Sequence, residues 1–187
     1  MPCVVFTLAL AAAACGEPPD KEIQQAQGAI DAARAAGAER YARDELAAAD
    51  KALKDANDAV NDRDYRLALN HALDAREHAQ VAAKQADDGK AAARAGAERV
   101  LRDATQALTE ARTRLKAAEG AHVAPRTLAD ARRLIADGDA TLQKGRAAYR
   151  VGNYADVPDT IAGTTTRLLA TARDLEAATA AINRRRR

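Results

Sequence analysis

The sequence predicts an all-α protein, an elongated and coiled-coil-like bundle of about four long helices arranged as antiparallel hairpins. Alanine supplies 52 of the 187 residues and aromatic residues only 3%, a composition that is typical of long helices. Apolar residues recur at alternating intervals of three and four along most of the chain, which is the heptad pattern of coiled-coil packing. Turn-forming residues are concentrated at a few positions between these periodic segments.

The first half of the chain contains two predicted helices, over residues 21–61 and 64–119. "VNDRDY", at residues 60–65, separates them because its Asn and Asp residues favour turns and helix N-caps. We expect the second helix to bend or break near Gly89 or Gly96. The heptad positions of this half fall into three series: Ile23, Ala26, Ile30, Ala33 and Gly37 in one phase, Leu46, Ala49, Leu53, Ala56 and Val60 in another, and Leu101, Ala104, Leu108, Ala111 and Leu115.

The second half contains predicted helices over residues 125–151 and 154–184. Gly120 and Pro125, in "EGAHVAPR", end one helix and begin the next. Gly152 and Asn153, in "YRVGNYADVP", form the last turn. Each seam alternates one large apolar residue with a small one, so neighbouring helix axes can approach closely, and the short turns make neighbours antiparallel. The seam residues are Leu128, Ala131, Ile135, Gly138, Leu142, Gly145 and Tyr149, then Ile161, Thr164, Leu168, Thr171, Leu175, Ala178 and Ile182.

The N-terminal residues indicate an export signal that ends at a cysteine. Residues 4–14 are apolar or small apart from one threonine, which suits a signal peptide and is too short for a transmembrane helix. Three alanines, Cys15 and a polar, proline-containing stretch follow, and this order resembles the bacterial lipoprotein signal, in which the cysteine thiol receives a diacylglycerol. We therefore expect a signal peptide over residues 1–14 and a lipidated Cys15 with a tether over residues 15–20. An ordinary secretory signal and a buried N-terminal helix are the alternatives.

An internal sequence repeat divides the remaining chain into two predicted hairpins, residues 21–119 and 120–187. Leu46, Leu53 and Val60 align with Leu128, Ile135 and Leu142. The chain resembles an uncharacterised bacterial domain of alanine-rich lipoproteins that sometimes stands beside an OmpA-like domain. One copy carries its pattern as Ala38, Tyr41, Ala42, Leu46 and Ala49, then Asp64, Tyr65 and Ala68; the other carries Ala124, Pro125, Leu128 and Ala131, then Gly152, Asn153 and Tyr154. The resemblance implies a fold and a cellular location but no catalytic residue.

Few residues carry recognisable chemistry. His71, Asp74 and His78 could share a helix face and hold a metal ion, but without a convincing fourth ligand the favoured interpretation is polar residues at a seam edge. We find no catalytic or phosphate-binding motif, so we expect neither an enzyme nor a cofactor. Charges of both signs are mixed along the body, which argues against a nucleic-acid partner. The exception is the C-terminal run of Arg184, Arg185, Arg186 and Arg187, which could contact an anionic partner or complement a helix dipole.

The function predicted from the sequence is non-enzymatic. We expect a lipoprotein that is anchored through Cys15 at the periplasmic face of the outer membrane, since Gly16 rather than an aspartate follows the cysteine, which resembles the outer-membrane signal of Gram-negative lipoproteins. Its helices would act as a spacer, scaffold or adaptor, with an envelope protein, peptidoglycan or lipopolysaccharide as partner. The alternatives are a soluble, chaperone-like periplasmic module and a self-associating coiled coil.

Overall fold

The computed structural model describes residues 17–186, and 89% of them are helical with no strand among them. The predicted all-α helical bundle is confirmed. The described residues fall into two compact units that are divided between Asp87 and Asp88. The helices are α1 (Asp20–Ala36), α2 (Ala38–Tyr41), α3 (Arg43–Asn61), α4 (Tyr65–Gly120), α5 (Pro125–Arg150), a 3₁₀ turn (Tyr154–Asp156), α6 (Val157–Ile161) and α7 (Thr164–Arg185).

Unit 1 consists of α1, α2, α3 and the first part of α4, packed around a core made mostly of alanine. Ile30, Leu46 and Leu53 are its large buried residues. Because the buried side chains are so small, the helices must lie close together for their surfaces to touch. The heptad pattern predicts the buried residues of α1, Ala26, Ile30 and Ala33, and all but one of those of α3, Leu46, Ala49, Leu53 and Ala56. The exception is Ala59, which is buried, whereas the predicted Val60 is only partly buried.

The predicted helix over residues 21–61 is wrong in one respect, since the structure interrupts it twice. Gly37 has a φ of 99° and ends α1 as a left-handed C-cap, its N–H donating to the carbonyls of Ala33 and Arg34. Ala42 leaves the helical region with φ −146° and ψ 45° and precedes α3. The two breaks let the chain reverse, so that Arg34 near the end of α1 meets Asp50 of α3 at 2.7 Å. The change of heptad phase between Gly37 and Leu46 was the sequence signal for this reversal.

The turn between α3 and α4 follows the prediction closely. Asp64 precedes α4, and its Oδ1 accepts a hydrogen bond from the N–H of Leu67 at 3.0 Å, which satisfies one of the free donors at the helix start. Arg63 completes the turn with a φ of 59°. Beyond it, α4 buries a seam built only of alanine: Ala68, Ala72, Ala75, Ala79, Ala82 and Ala86.

Helix α4 is continuous from Tyr65 to Gly120, so the predicted break near Gly89 or Gly96 is wrong. A glycine in a helix interior costs about 1 kcal/mol relative to alanine. The surrounding residues are strong helix formers, including Ala91, Ala92 and Ala93, and they keep the helix intact at that cost. The boundary between the two compact units lies inside α4, whereas the predicted repeat boundary, between Glu119 and Gly120, lies at the end of α4.

Unit 2 packs the rest of α4 against α5, α6 and α7. Its core includes Leu108, Leu142, Ile161 and Leu168. The predicted turns are present: α4 ends at Gly120, α5 begins at Pro125, and Gly152 has a φ of 84°. The predicted helix over residues 154–184 is wrong in that the chain forms a 3₁₀ turn, the short α6 and then α7. Gly163, with a φ of 72°, provides the left-handed residue before α7.

Two glycines of α5 lie very close to neighbouring helices, Gly138 to α7 and Gly145 to α6. A methyl group on Gly138 would lie 2.8 Å from Cδ2 of Leu168, and one on Gly145 would lie 2.7 Å from Cδ1 of Ile161 in α6. Carbon atoms in contact normally stay about 3.5–4.0 Å apart. These two positions therefore accept only glycine without a shift of their neighbours, which is the close packing that the alternation of large and small residues predicts.

A series of polar contacts links α4 to α5 along one edge of unit 2, and we call it the α4–α5 ladder. Its rungs recur every seven residues on α4, at Glu98, Thr105, Arg112 and Glu119. From the turn outward the contacts are Arg132 to Glu119 at 2.7 Å, Arg112 to Asp139 at 3.0 Å, Arg146 to Thr105 at 3.0 Å, and Tyr149 to Glu98. The rungs confirm that α4 and α5 are antiparallel.

Candidate functional site

The chain enters unit 1 immediately after the predicted anchor. Cys15 lies outside the described residues. Pro19 is already buried, and its carbonyl accepts a hydrogen bond at 3.0 Å from the N–H of Ile23, in the first turn of α1. Asp20 is helical, so the last two residues of the predicted tether belong to the folded unit. The four steps from Cys15 to Pro19 span at most about 14 Å, at ~3.5 Å per residue.

The start of α1 lies in the half of unit 1 that contains the turn between α3 and α4. The reversal at Gly37 makes α1 antiparallel to α3, with Arg34 near the end of α1 bonded to Asp50. At the other end of α1, Gln25 accepts a hydrogen bond at 2.9 Å from Arg76, in the first part of α4. Both contacts place the entry point of the chain toward the turn rather than toward the Gly37 end.

The histidines of unit 1 lie along the contact between α3 and α4. Nδ1 of His78 is 2.9 Å from Oε2 of Glu45, and both side chains are partly exposed. His71 lies near Asp55, whose carboxyl pKa is lowered chiefly by Lys51 and to a smaller extent by His71. Asp74 is exposed. Across residues 17–186, no group of three or more His, Cys, Asp and Glu side chains is placed to hold a metal ion, and His78 is engaged by a carboxylate on another helix.

A tyrosine cluster connects α5 to α4 at one end of unit 2. The Tyr149 hydroxyl donates a short hydrogen bond to Glu98, and Nε of Arg94 lies 3.1 Å from both the hydroxyl and the carboxylate. The Tyr149 ring packs against Tyr154 with centroids 5.0 Å apart and planes tilted by 59°, a favourable aromatic geometry. The hydroxyl that makes the hydrogen bond belongs to Tyr149, which precedes the turn, whereas Tyr154, which follows the turn, contributes its ring.

The electrostatics of this cluster indicate a structural role. Hydrogen bonds from Tyr149 and Arg94 lower the pKa of the Glu98 carboxyl. The Glu98 carboxylate raises the pKa of the Tyr149 phenol, which moves the hydroxyl further from ionisation at neutral pH. A phenol held protonated by a carboxylate partner is a poor nucleophile and a poor acid. The prediction that the protein is not an enzyme stays a prediction.

The C-terminal arginines lie beside the turn between α4 and α5. Arg184, Arg185 and Arg186 are exposed, and Arg187 lies outside the described residues. The preceding part of α7 is fixed by a small apolar cluster, in which Leu175, Ala178 and Ile182 pack with residues of the turn region. The structure thus brings the arginines next to the first turn of α5 and the last turns of α4, a neighbourhood that the sequence alone did not reveal.

The fold and these contacts define a class: an all-α bundle of alanine-seamed helices held in register by polar contacts at its edges. Residues 21–98 match the model of a domain of unknown function, DUF4398. The match begins in α1 and extends past Asp87 along α4. The predicted resemblance to an uncharacterised domain is confirmed at that level for these residues. No curated protein and no solved structure gives a significant match to the chain.

Among residues 17–186, none of the helices has the combination of length and apolar character that is needed to cross a membrane.

Proposed function

We propose that the protein is a non-enzymatic lipoprotein of the cell envelope, anchored through a diacylglycerol on Cys15 at the periplasmic face of the outer membrane. Its helical units serve as a spacer, scaffold or adaptor. One observation supports this proposal above the others: a folded, all-α unit begins at Pro19, four residues after a cysteine in a lipoprotein-like signal. A lipid at Cys15 would hold that unit at the bilayer surface.

The proposal includes two copies of the same helical motif. Seam residues of α3 and α5 correspond in size and spacing, with Leu46, Ala49 and Leu53 of α3 buried like Leu128, Ala131 and Ile135 of α5. A turn follows each of these helices, and the next element begins with a tyrosine, Tyr65 in the first copy and Tyr154 in the second. Repetition of a rigid helical unit suits a spacer or scaffold, because each unit adds length and surface without a ligand-binding cavity.

Contacts with the rest of the envelope would come from exposed charge. The exposed arginines at the end of α7, Arg184, Arg185 and Arg186, with Arg187 after them in the sequence, are suited to an anionic envelope partner, since guanidinium groups bind phosphate and carboxylate groups well.

The deciding experiment measures the mass of the mature N-terminus from membrane and soluble fractions of a Gram-negative host that expresses the full chain. We expect a diacylated or triacylated Cys15 in the membrane fraction. Cys15→Ala should abolish the lipid mass and move the protein to another fraction. Cys3→Ala is the matched control, since Cys3 would leave with the signal, and it should change nothing. A free N-terminus near Cys15 in the soluble fraction would overturn the anchor and favour the soluble or self-associating alternatives.

A further inference from the structure

We propose that one end of unit 2 is a docking surface for the anionic phosphates of a lipid bilayer. The surface, which we call the cationic pole, comprises Lys116, Arg126, Arg184, Arg185 and Arg186. It extends the proposed envelope function by naming the partner of this end, and it rests on that function only for the choice of a membrane as the anionic surface.

Three separate segments meet at the pole. Ala118, Ala121 and Val123, from the end of α4 and the turn, pack in one apolar cluster with Leu175 of α7, and Ile182 packs against the same cluster. Ile182 precedes Arg184 by two residues, so the last turn of α7 lies beside the turn that leads into α5. Lys116 lies in the last two turns of α4, and Arg126 is the second residue of α5. All five cations are exposed.

The pole has little negative charge to balance it. In residues 116–130 and 176–186 the acidic residues are Glu119, Asp130 and Glu176. Each is already paired with an arginine outside the pole: Glu119 with Arg132 at 2.7 Å, Asp130 with Arg133 at 3.7 Å, and Glu176 with Arg114 at 3.4 Å. No ion pair within residues 17–186 is recorded for the five cations of the pole, whereas Arg112, Arg114 and Arg132 just beyond it are all paired with carboxylates. Within residues 88–186 the pole supplies five of the 18 Lys and Arg residues, and the remaining 13 are nearly balanced by 12 Asp and Glu residues. Most of the excess positive charge of unit 2 therefore belongs to this end.

Helix dipoles do not explain this arrangement. A cation in the last turn of a helix interacts favourably with the helix dipole, which would account for Arg184 and Arg185 at the end of α7. The same dipole makes a cation unfavourable in the first turn of a helix, where Arg126 lies. Arg126 thus adds repulsion both with its own helix and with the arginines nearby, and a stabilising role within the fold does not account for it.

The form of the pole suits an extended anionic surface. Its charges are carried by long, exposed side chains from three segments at the end of a helical unit, so they can approach many phosphates at once. Arginine binds phosphate in a bidentate manner, and basic residues near an anionic leaflet gain attraction that decays within a Debye length of about 8 Å at physiological salt.

The test uses the chain from Glu17 onward, which lacks Cys15 and so separates this surface from the proposed anchor. Co-sedimentation is measured with phosphatidylcholine vesicles that contain or lack phosphatidylglycerol, over a range of salt concentrations. In the pole variant, five cations are replaced by glutamine: Lys116, Arg126, Arg184, Arg185 and Arg186. In the matched control variant, five exposed cations elsewhere in unit 2 are replaced in the same way: Lys90, Arg99, Lys144, Arg150 and Arg173.

We expect the parent chain to bind only the anionic vesicles and to lose binding as salt rises. Since a basic residue near an anionic bilayer contributes about fivefold to binding, the pole variant should bind on the order of a thousandfold more weakly. The control variant loses the same net charge, but its cations lie away from the pole, so its binding should weaken by less than about tenfold. Circular dichroism confirms that both variants keep their helices.

Three results would overturn the proposal. One is a parent chain that does not bind anionic vesicles at low salt. Another is an equal loss of binding in the two variants, which would mean that net charge and not the pole attracts the chain. The third is binding to purified peptidoglycan without binding to vesicles, which would assign the pole to a different polymer. None of these results bears on the lipid mass of Cys15, so the two proposals fail separately.

Discussion

Replacing Gly145 by alanine should destabilise unit 2, whereas the same replacement at Gly96 should stabilise it. Both glycines lie inside helices of this unit, and alanine is favoured over glycine in a helix interior by about 1 kcal/mol. They differ in their surroundings. A methyl group on Gly96 would meet no atom within 4 Å, while one on Gly145 would lie 2.7 Å from Cδ1 and 2.9 Å from Cγ1 of Ile161.

The size of the effect follows from these two terms. Gly96→Ala gains the helix term alone, so the free energy of unfolding should rise by about 1 kcal/mol. Gly145→Ala gains the same term and loses about 1–3 kcal/mol to overpacking, because Ile161 is only 2% exposed and has little room to move. We therefore expect Gly145→Ala to lower the free energy of unfolding by about 1 kcal/mol, so that the two variants differ by about 2 kcal/mol. For a unit of this size, each kcal/mol corresponds to roughly 4–8 °C in melting temperature.

Urea denaturation followed by circular dichroism would measure both variants, and because both changes lie in unit 2 they act on the same transition. A third variant identifies the clash. Ile161→Val removes the Cδ1 atom, so it should cost about 1 kcal/mol in the parent and clearly less in the Gly145→Ala background. If Gly145→Ala is as stabilising as Gly96→Ala, or if the Ile161→Val change is strictly additive with it, the close approach at Gly145 is not tight and the reasoning fails.

Three further predictions concern burial, backbone conformation and ionisation. Leu142→Ala should lower the free energy of unfolding by about 2–5 kcal/mol because Leu142 is fully buried, whereas Leu134→Ala, at a position 41% exposed, should cost less than half as much in the same urea titration. Gly37→Ala should destabilise unit 1 by more than 1 kcal/mol or so, since alanine is strained at a φ of 99°; a neutral result in thermal unfolding would contradict the role of this residue in the chain reversal. The lowered pKa of Glu98 adds stability at pH values above the ordinary carboxyl pKa, and this is lost as the pH falls through the lower folded value. The raised pKa of Tyr149 adds stability below the ordinary phenol pKa, and this is lost as the pH rises through the higher folded value. Tyr149→Phe should therefore flatten the alkaline limb of a plot of urea midpoint against pH, and an unchanged limb would show that another group causes it.

The helices with a visible heptad pattern could be predicted from the sequence, because a large apolar residue in each heptad marks the buried face. The seams of α3, α5 and α7 are buried as that pattern indicates, for example at Leu53, Ile135 and Leu168. The first part of α4 has no such contrast. Its buried face consists of alanines, and alanines such as Ala91 are exposed in the same helix, so residue type alone does not distinguish the two faces.

The breaks and the sites depended on information that local patterns lack. As residues, Gly37 and Gly163 do not differ from Gly89 and Gly96, which α4 tolerates, and only the change of heptad phase after Gly37 marks one of them as the end of a helix. Likewise, the arginines of the cationic pole were visible as a run at the C-terminus, while Lys116 and Arg126 join them only because α7 folds back beside the turn. Glu98 and Tyr149, which bond to each other, are 51 residues apart in the chain, so no local pattern connects them. Polar residues that recur every seven positions along α4 did, however, indicate a second patterned face.

The α4–α5 ladder also determines which alignment of these two helices is allowed. A seam of small residues repeats every heptad, so sliding one helix by seven residues would bring similar surfaces back into contact, and apolar packing alone would discriminate weakly between the two alignments. The ladder does discriminate, because charges of opposite sign follow one another along α5 at Arg132, Asp139 and Arg146. A slide that sets Glu119 beside Asp139 would also set Arg112 beside Arg146, replacing two attractions by two repulsions. Although each exposed ion pair contributes at most about 1 kcal/mol to stability, their order along the helix excludes the shifted alignment, so these surface charges specify the fold more than they stabilise it.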